Sequence, residues 1–346
     1  MAKFLVIRFS ALGDVAMTIP VIHSLAVQYP QHKIVVVSRP VLEPAFRMLP
    51  GNVSLFCADL DGTHKGLSGL NTLFRQLKEM NFDYVADLHD VLRSQYLRFR
   101  FKVSGVPVAV IDKGKAGKKR LIRRHRKVVE NQKSSFQRYA EVFHRLGFPF
   151  FLNFSSVYGK QKGEFAHIQS VTGEKGSTKW IGIAPFAKHK GKVYPLELQE
   201  QVIAHFSKDL RVKVFLFGGG KTEQKILNEW VTKYPSVISM ADKIRMENEL
   251  ILMSWLDVML SMDSANMHLA SLVNIPVISL WGATHPYAGF MGWNQSAENC
   301  VQVDLKCRPC SVFGNKKCFR GDYACLFRIK PERIIQHITT SIHKTI

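Results

Sequence analysis

The chain has 346 residues, with 48 lysines and arginines against 27 aspartates and glutamates, a formal charge of +21 and a pI near 9.8. The length suits two domains, and a hydrophobic fraction of 46% with 22% charged residues excludes a disordered chain. No apolar run approaches the ~18 residues of a membrane span, and the charge excess calls for an acidic partner: nucleic acid, an anionic membrane surface or a phosphorylated substrate.

The apolar part of the N-terminus is too short for a signal peptide. It reads as the first strand of a cytoplasmic protein. Strands are expected at 4–9, 34–38, 53–57, 84–89 and 107–111, and helices near 15–29, 41–49, 67–80, 91–102 and 134–147. Near-continuous apolar strands alternating with helices imply a parallel sheet covered on both faces. A polar stretch at 157–179 reads as a linker. A second series follows, with strands at 180–185, 212–217, 257–262 and 276–281, and helices at 195–208, 222–233, 246–255 and 264–272.

The fold class is therefore α/β, with two Rossmann-like domains. The expected limits are 1–160 and 178–328, followed by a closing segment 329–346 whose helix is expected to pack back on the N-terminal domain. Such a pair places a ligand cleft between the carboxyl ends of its strands.

The run 112–133 concentrates positive charge with no interleaved aromatic, which disfavours base stacking. It reads as a solvated surface or as a patch for phosphorylated lipid and membrane headgroups. No nucleic-acid reading motif accompanies the charge, so nucleic acid is not the expected partner.

Four turns carry candidate chemistry. Arg8-Phe9-Ser10-Ala11-Leu12-Gly13-Asp14 closes the first strand and opens a helix, which suits an anionic ligand. Asp14 is either a helix cap or a carboxylate poised to take a proton. Ala187, Lys188 and Lys192 lie in a basic turn after strand 180–185; lysines there meet phosphate as point charges. Gly218-Gly219-Gly220-Lys221-Thr222-Glu223 is not a P-loop, because Phe215 stands where the pattern needs glycine. Glu223 can accept from ribose hydroxyls. Asp263-Ser264-Ala265 opens a helix after a buried strand, with His268 one turn inside; capping and a core histidine are the alternative roles.

Together these turns resemble glycosyltransferase family 9, the bacterial heptosyltransferases of the lipopolysaccharide inner core. The resemblance spans nearly the whole chain and implies the GT-B architecture. It implies an inverting transfer of heptose from ADP-heptose, with Asp14 as base, Lys192 on the donor phosphate and no cofactor required. It further implies donor contacts from Gly13, Ala187, Lys188, Glu223, Ile244, Asp263, Ser264, Ala265 and His268. The family often carries small hydroxyl residues at the positions of Ala187 and Lys188, and glycine at Ala265.

The acceptor, a phosphorylated lipid-linked oligosaccharide, is expected at Ser10, His89, Asp90, Arg93, Arg120 and Arg123. Peripheral contact with the anionic inner membrane is expected too. Another nucleotide sugar, or an acceptor outside lipopolysaccharide, stays open. Cys307, Cys310, Cys318 and Cys325 supply four thiolates that could hold zinc, although their Cys-x2-Cys-x7-Cys-x6-Cys spacing is looser than that of the usual paired knuckles. Otherwise no metal is expected, and the one Asp-x-Asp pair, Asp59 and Asp61, falls in the first domain.

Overall fold

A computed structural model describes residues 1–344. The chain forms two compact units. Unit 1 comprises Met1–Lys113 and Lys133–Val157; unit 2 comprises Gly114–Gln132 and the chain from Tyr158 onward. Residues 114–132, expected in the N-terminal domain, thus belong to unit 2.

Unit 1 holds β1 (Lys3–Ile7), β2 (Lys33–Ser38), β3 (Val53–Cys57), β4 (Tyr84–Asp87) and β5 (Val108–Val110) in one parallel sheet of order β3-β2-β1-β4-β5. Phe4–Ile7 are fully buried, as expected of a central parallel strand covered on both faces. The expected helix 15–29 is two helices, Leu12–Ala16 and Ile19–Gln28. Thr18 Oγ1 donates to the Val15 carbonyl at 2.7 Å, and Pro20, which has no N–H to give, starts the second helix. Helix Ser135–Arg145 opens with a reciprocal cap: Ser134 Oγ accepts from Gln137 N, and Gln137 Oε1 accepts from Ser134 N.

Unit 2 holds β6 (Lys179–Ala184), β7 (Val212–Leu216), β8 (Val237–Ser239), β9 (Val258–Met262), β10 (Val277–Leu280) and β11 (Cys300–Val301). All are parallel, in the order β11-β10-β9-β6-β7-β8. The short edge strands β8 and β11 have too few residues to stand out in the sequence. The stretch 157–179 is not a free linker. It contains the helix Ala166–Thr172, and Phe165 meets Trp255 edge-to-face at 4.9 Å and lies tilted 6.0 Å from Trp180. Gly163 is pinned from both sides: its N–H donates to Ser254 Oγ, and its carbonyl accepts from Trp255 Nε1.

The closing helix Pro331–Lys344 belongs to unit 2. Ile334, Ile338 and Ile342, spaced four apart, enter the same core as Tyr194, Val202 and Leu260. The expectation that it packs on the first domain is corrected accordingly.

Candidate functional site

In an open parallel sheet, the loops at the carboxyl ends part company where the strand order reverses, and ligands bind there. Both sheets have such a point. In unit 1 it lies between β1 and β4; in unit 2 it lies between β6 and β9.

At the unit 1 switch point, the turn after β1 meets the turn after β4. Arg8 is buried, and its guanidinium bridges the two turns. Nη2 lies 2.8 Å from Asp14 Oδ2, and Nη1 donates to the Leu88 carbonyl at 2.7 Å. Its Cζ lies 5.8 Å from the centre of the Tyr139 ring. Asp14 Oδ2 also accepts from Ala11 N at 3.2 Å, so this carboxylate caps its own helix. Capping and exposure coexist: the Asp14 side chain is 31% exposed while Arg8 is 8% exposed. The Tyr139 hydroxyl donates to the Asp14 carbonyl at 3.4 Å, and burial raises its pKa, so the phenol stays protonated.

His89 completes this floor. Its Nδ1 accepts from Phe9 N at 3.3 Å. Burial, then the charge of Arg8, push its pKa down to about 3, so the ring is neutral at physiological pH. Below it, Asp87 Oδ1 accepts from the N–H groups of His89 and Asp90, and Asp87 Oδ2 pairs with Arg98 at 3.0 Å. Asp90 adopts φ +48°, a left-handed conformation that aspartate tolerates. Arg98, Gln95 and Lys113 hold it there. Exposed Arg93 follows in the helix Leu92–Val103, and Ser10 is exposed in the β1 turn. Asp14, Ser10, His89, Asp90 and Arg93 therefore gather on one rim of unit 1. Arg120 and Arg123 lie in the segment Gly114–Gln132, which belongs to unit 2.

At the unit 2 switch point, the turn after β6 meets the helix start after β9. Lys192 Nζ lies 2.9 Å from Asp263 Oδ2, with side chains only 16% and 3% exposed. The stem of Lys192 runs against Gly314, which has φ +73° and where a Cβ would meet Lys192 Cγ at 2.6 Å. Glycine at 314 thus lets the lysine lie flat and fixes its ammonium at the switch point. Ser264, whose Oγ is 3.3 Å from Ser261 Oγ, precedes helix Ala265–Leu272. The first N–H groups of that helix lack intrahelical acceptors and favour an anion. His268 is buried inside its first turns. Ala187 is half-buried and Lys188 exposed in the β6 turn.

Glu223 closes the turn after β7. Its Oε2 accepts from Gly219 N at 2.9 Å, which orients the carboxylate at the start of helix Lys221–Lys233. Ile244 lies half-buried in the loop after β8, ahead of helix Met246–Trp255. On that helix, burial and then Asp242 push the Glu249 carboxyl up to about 7.

The cysteines are free thiols. Burial raises the Cys310 and Cys325 thiols, Cys325 to about 11, and neighbouring cysteines of the cluster add to both shifts. Among the described residues no group of three or more His, Cys, Asp or Glu is arranged to hold a metal ion, so the zinc reading of this cluster finds no support in the geometry. The segment is organised instead by Arg308. Its buried guanidinium donates to the carbonyls of Trp281, Gly282 and Thr284 and to Gln302 Oε1. Asp59 and Asp61 are occupied locally: Asp59 accepts from Gly62 and Thr63 N–H groups, and Asp61 pairs with Arg39.

Sequence reasoning took in Arg8 and Asp87 only as parts of the motifs that end β1 and β4, and passed over Arg98 and Tyr139. Arg8 had a readable signal, a lone cation ending a buried strand beside a candidate carboxylate. Arg98 and Tyr139 are recruited through tertiary contacts.

A family model described as glycosyltransferase family 9 (heptosyltransferase) matches residues 70–318. A lipooligosaccharide heptosyltransferase 2 of Campylobacter jejuni serotype O:6 is 25% identical over 169 residues, covering 47% of this chain and 52% of the relative; the chain thus matches about half the length of that protein. Among solved structures, a family 9 glycosyl transferase of Veillonella parvula superposes with a TM-score of 0.76 at 19% identity, covering 99% of this chain and 98% of that one. An E. coli heptosyltransferase, WaaC, solved with ADP and with ADP-2-deoxy-2-fluoro heptose, superposes with a TM-score of 0.67 at 17% identity, covering 98% of this chain and 99% of that one. The fold is that of these proteins: α/β, with two parallel sheets in the GT-B manner. No helix among the described residues is long and apolar enough to cross a membrane.

Proposed function

The chain belongs to glycosyltransferase family 9, and from that premise we propose that it moves a heptose from ADP-heptose to a hydroxyl of a phosphorylated, lipid-linked inner-core acceptor, with inversion. The donor reading rests on one observation above others: Lys192 is fixed by Asp263 at the unit 2 switch point, beside the free N–H groups of helix Ala265–Leu272. That is the chemistry a diphosphate needs. The WaaC structures with ADP and an ADP sugar support the choice of nucleotide.

In the proposed step the acceptor oxygen attacks the anomeric carbon as the bond from that carbon to the β-phosphate oxygen breaks. The hydroxyl proton passes to Asp14. ADP leaves, and its growing charge is met by Lys192 and the N–H groups at Ser264 and Ala265. Exposed Lys188 stands in for the hydroxyl donors that Ala187 lacks. Glu223 takes the ribose hydroxyls, Ile244 flanks the base, and His268 backs the diphosphate turn. The scheme uses no metal cofactor. Ser10, His89, Asp90 and Arg93 receive the acceptor on unit 1. The enzyme works in the cytoplasm, in peripheral contact with the inner membrane.

The test is binding and turnover with ADP-, UDP-, GDP- and CMP-sugars. Tight binding of ADP and heptose transfer from ADP-heptose to a deacylated inner-core acceptor are expected. Preference for another nucleotide would move the reading to a different donor. Transfer only to a glycan of another kind would move the acceptor outside lipopolysaccharide.

A further inference from the structure

From Lys113 to Val129 the chain carries nine lysines and arginines and no carboxylate; Asp112 and Glu130 bound the run. Tertiary contacts strap this run onto unit 2. Lys127 Nζ donates to the carbonyls of Lys306, Arg308 and Pro309 at 3.3, 2.7 and 3.0 Å. Gln132 N donates to the Tyr287 carbonyl at 2.9 Å, and Lys118 Nζ lies 4.1 Å over the Phe290 ring. These anchors leave Lys119, Arg120, Arg123 and Arg126 exposed. The Arg124 guanidinium lies 4.1 Å over Phe319, a ring 54% exposed on the cysteine segment, whose Lys316 and Lys317 are exposed as well.

We infer that this face of unit 2, made by the strap 114–129 and the segment 313–319, docks on the surface of an anionic lipid bilayer. The charge is one-signed, and exposed apolar groups (Phe319, Phe313, Val129) accompany it. That pairing matches the headgroup boundary, where cations meet lipid phosphates and apolar side chains enter the acyl edge. It fits nucleic acid less well, because Arg124 covers a face of Phe319 that a base would need. The same segment reaches the donor lysine: Gly314 lies against the Lys192 stem, and Phe319 follows five residues on. The inference deepens the reading that the acceptor is lipid-linked and rests on it, since docking here would bring the donor end of unit 2 to the membrane.

The test is co-sedimentation of the full chain with vesicles of phosphatidylglycerol and phosphatidylethanolamine, and with vesicles of phosphatidylcholine alone. Partition onto the anionic vesicles only, lost at high salt, is expected; the salt effect follows from a Debye length of ~10 Å at 0.1 M. Each cation near such a surface gives about a fivefold gain in partition, so R124E/R126E should lower it by more than about tenfold, while R124K/R126K retains it. ADP binding, read on the same samples, reports the donor site separately. Failure to partition, partition onto both vesicle types alike, indifference to R124E/R126E in a protein that still binds ADP, or tighter binding to duplex DNA than to anionic vesicles would each overturn the docking surface. Vesicle partition without ADP binding would instead remove the glycosyltransferase donor reading and leave the surface standing.

Discussion

Arg8 and Asp14 form an ion pair at 2.8 Å in which the cation is buried and the carboxylate is not. Nη1 of the guanidinium donates to the Leu88 carbonyl, so it ties the turn after β1 to the turn after β4. Asp14 therefore has one oxygen fixed by Arg8 and Ala11 N, and a partly exposed side chain facing the rim. That division of labour lets a helix cap and a proton acceptor be one residue.

Replacing Asp14 by asparagine keeps the size and the cap but removes the acceptor of a proton. Heptose transfer is expected to fall by ~10²–10⁴-fold, the usual range for a positioned base. ADP affinity should not change, because Lys192 and helix Ala265–Leu272, the diphosphate contacts proposed above, are in unit 2. Wild-type turnover in D14N would remove the base assignment.

Arg8→Met strips the bridge while leaving its volume. The Leu88 carbonyl and the Asp14 carboxylate lose a buried charged donor, which costs about 2–5 kcal/mol of stability. Chemical denaturation reads that loss. Arg8→Lys, which keeps charge but not the two-pronged geometry, should retain most of the stability yet lower kcat, since Asp14 loses its orientation. Equal kcat in R8K and wild type would limit Arg8 to a structural role.

Asp263→Ala leaves the Lys192 ammonium without its carboxylate in a nearly closed site. Breaking one partner of a buried pair typically costs about 3–5 kcal/mol. Saturating ADP should restore part of this, because its phosphates supply the missing charge. Thermal denaturation with and without ADP measures both effects. If ADP stabilises D263A no more than wild type, Lys192 does not meet the diphosphate.

The neutral His89 predicts a pH dependence. Its folded pKa of about 3 lies below the unfolded value of about 6.5. Between those values the unfolded chain binds the extra proton, so stability rises with pH there and is fully present above about 6.5. The slope from this one group is at most about 1.4 kcal/mol per pH unit. His89→Asn should flatten the acid limb between pH 6.5 and 3 by that amount, relative to wild type, in denaturation curves.

Glu249 works in the opposite sense. Its folded pKa of about 7 lies above the ordinary 4.5, so the folded state holds the extra proton between those values and stability falls as pH rises through them. Glu249→Gln should remove that decline. Denaturation midpoints at pH 5 and pH 8 that keep the wild-type difference in E249Q would refute the assignment.

The sequence by itself determined the two parallel α/β sheets. Runs such as Phe4–Ile7 and Val258–Leu260 are apolar at every position, a pattern that only a strand covered on both faces requires. It also marked the turns at Asp14, Lys192, Glu223 and Asp263, because glycines, cations and carboxylates at strand ends are local signals. Strands of two or three residues, β8 and β11, carry too little pattern to be read. Thr18 and Pro20 broke a helix that periodicity had run together.

Only the tertiary structure decided the partners. Nothing local to Arg8 says that Leu88, 80 residues on, will accept from it, nor that the Tyr139 ring will lie beside it. The basic run shows the same limit. Its charge is plain in the sequence, but its allegiance to unit 2 depends on Lys127 finding three carbonyls about 180 residues away. Periodicity and turn chemistry act over a few residues, whereas the burial that selects a partner is settled only when the whole core closes.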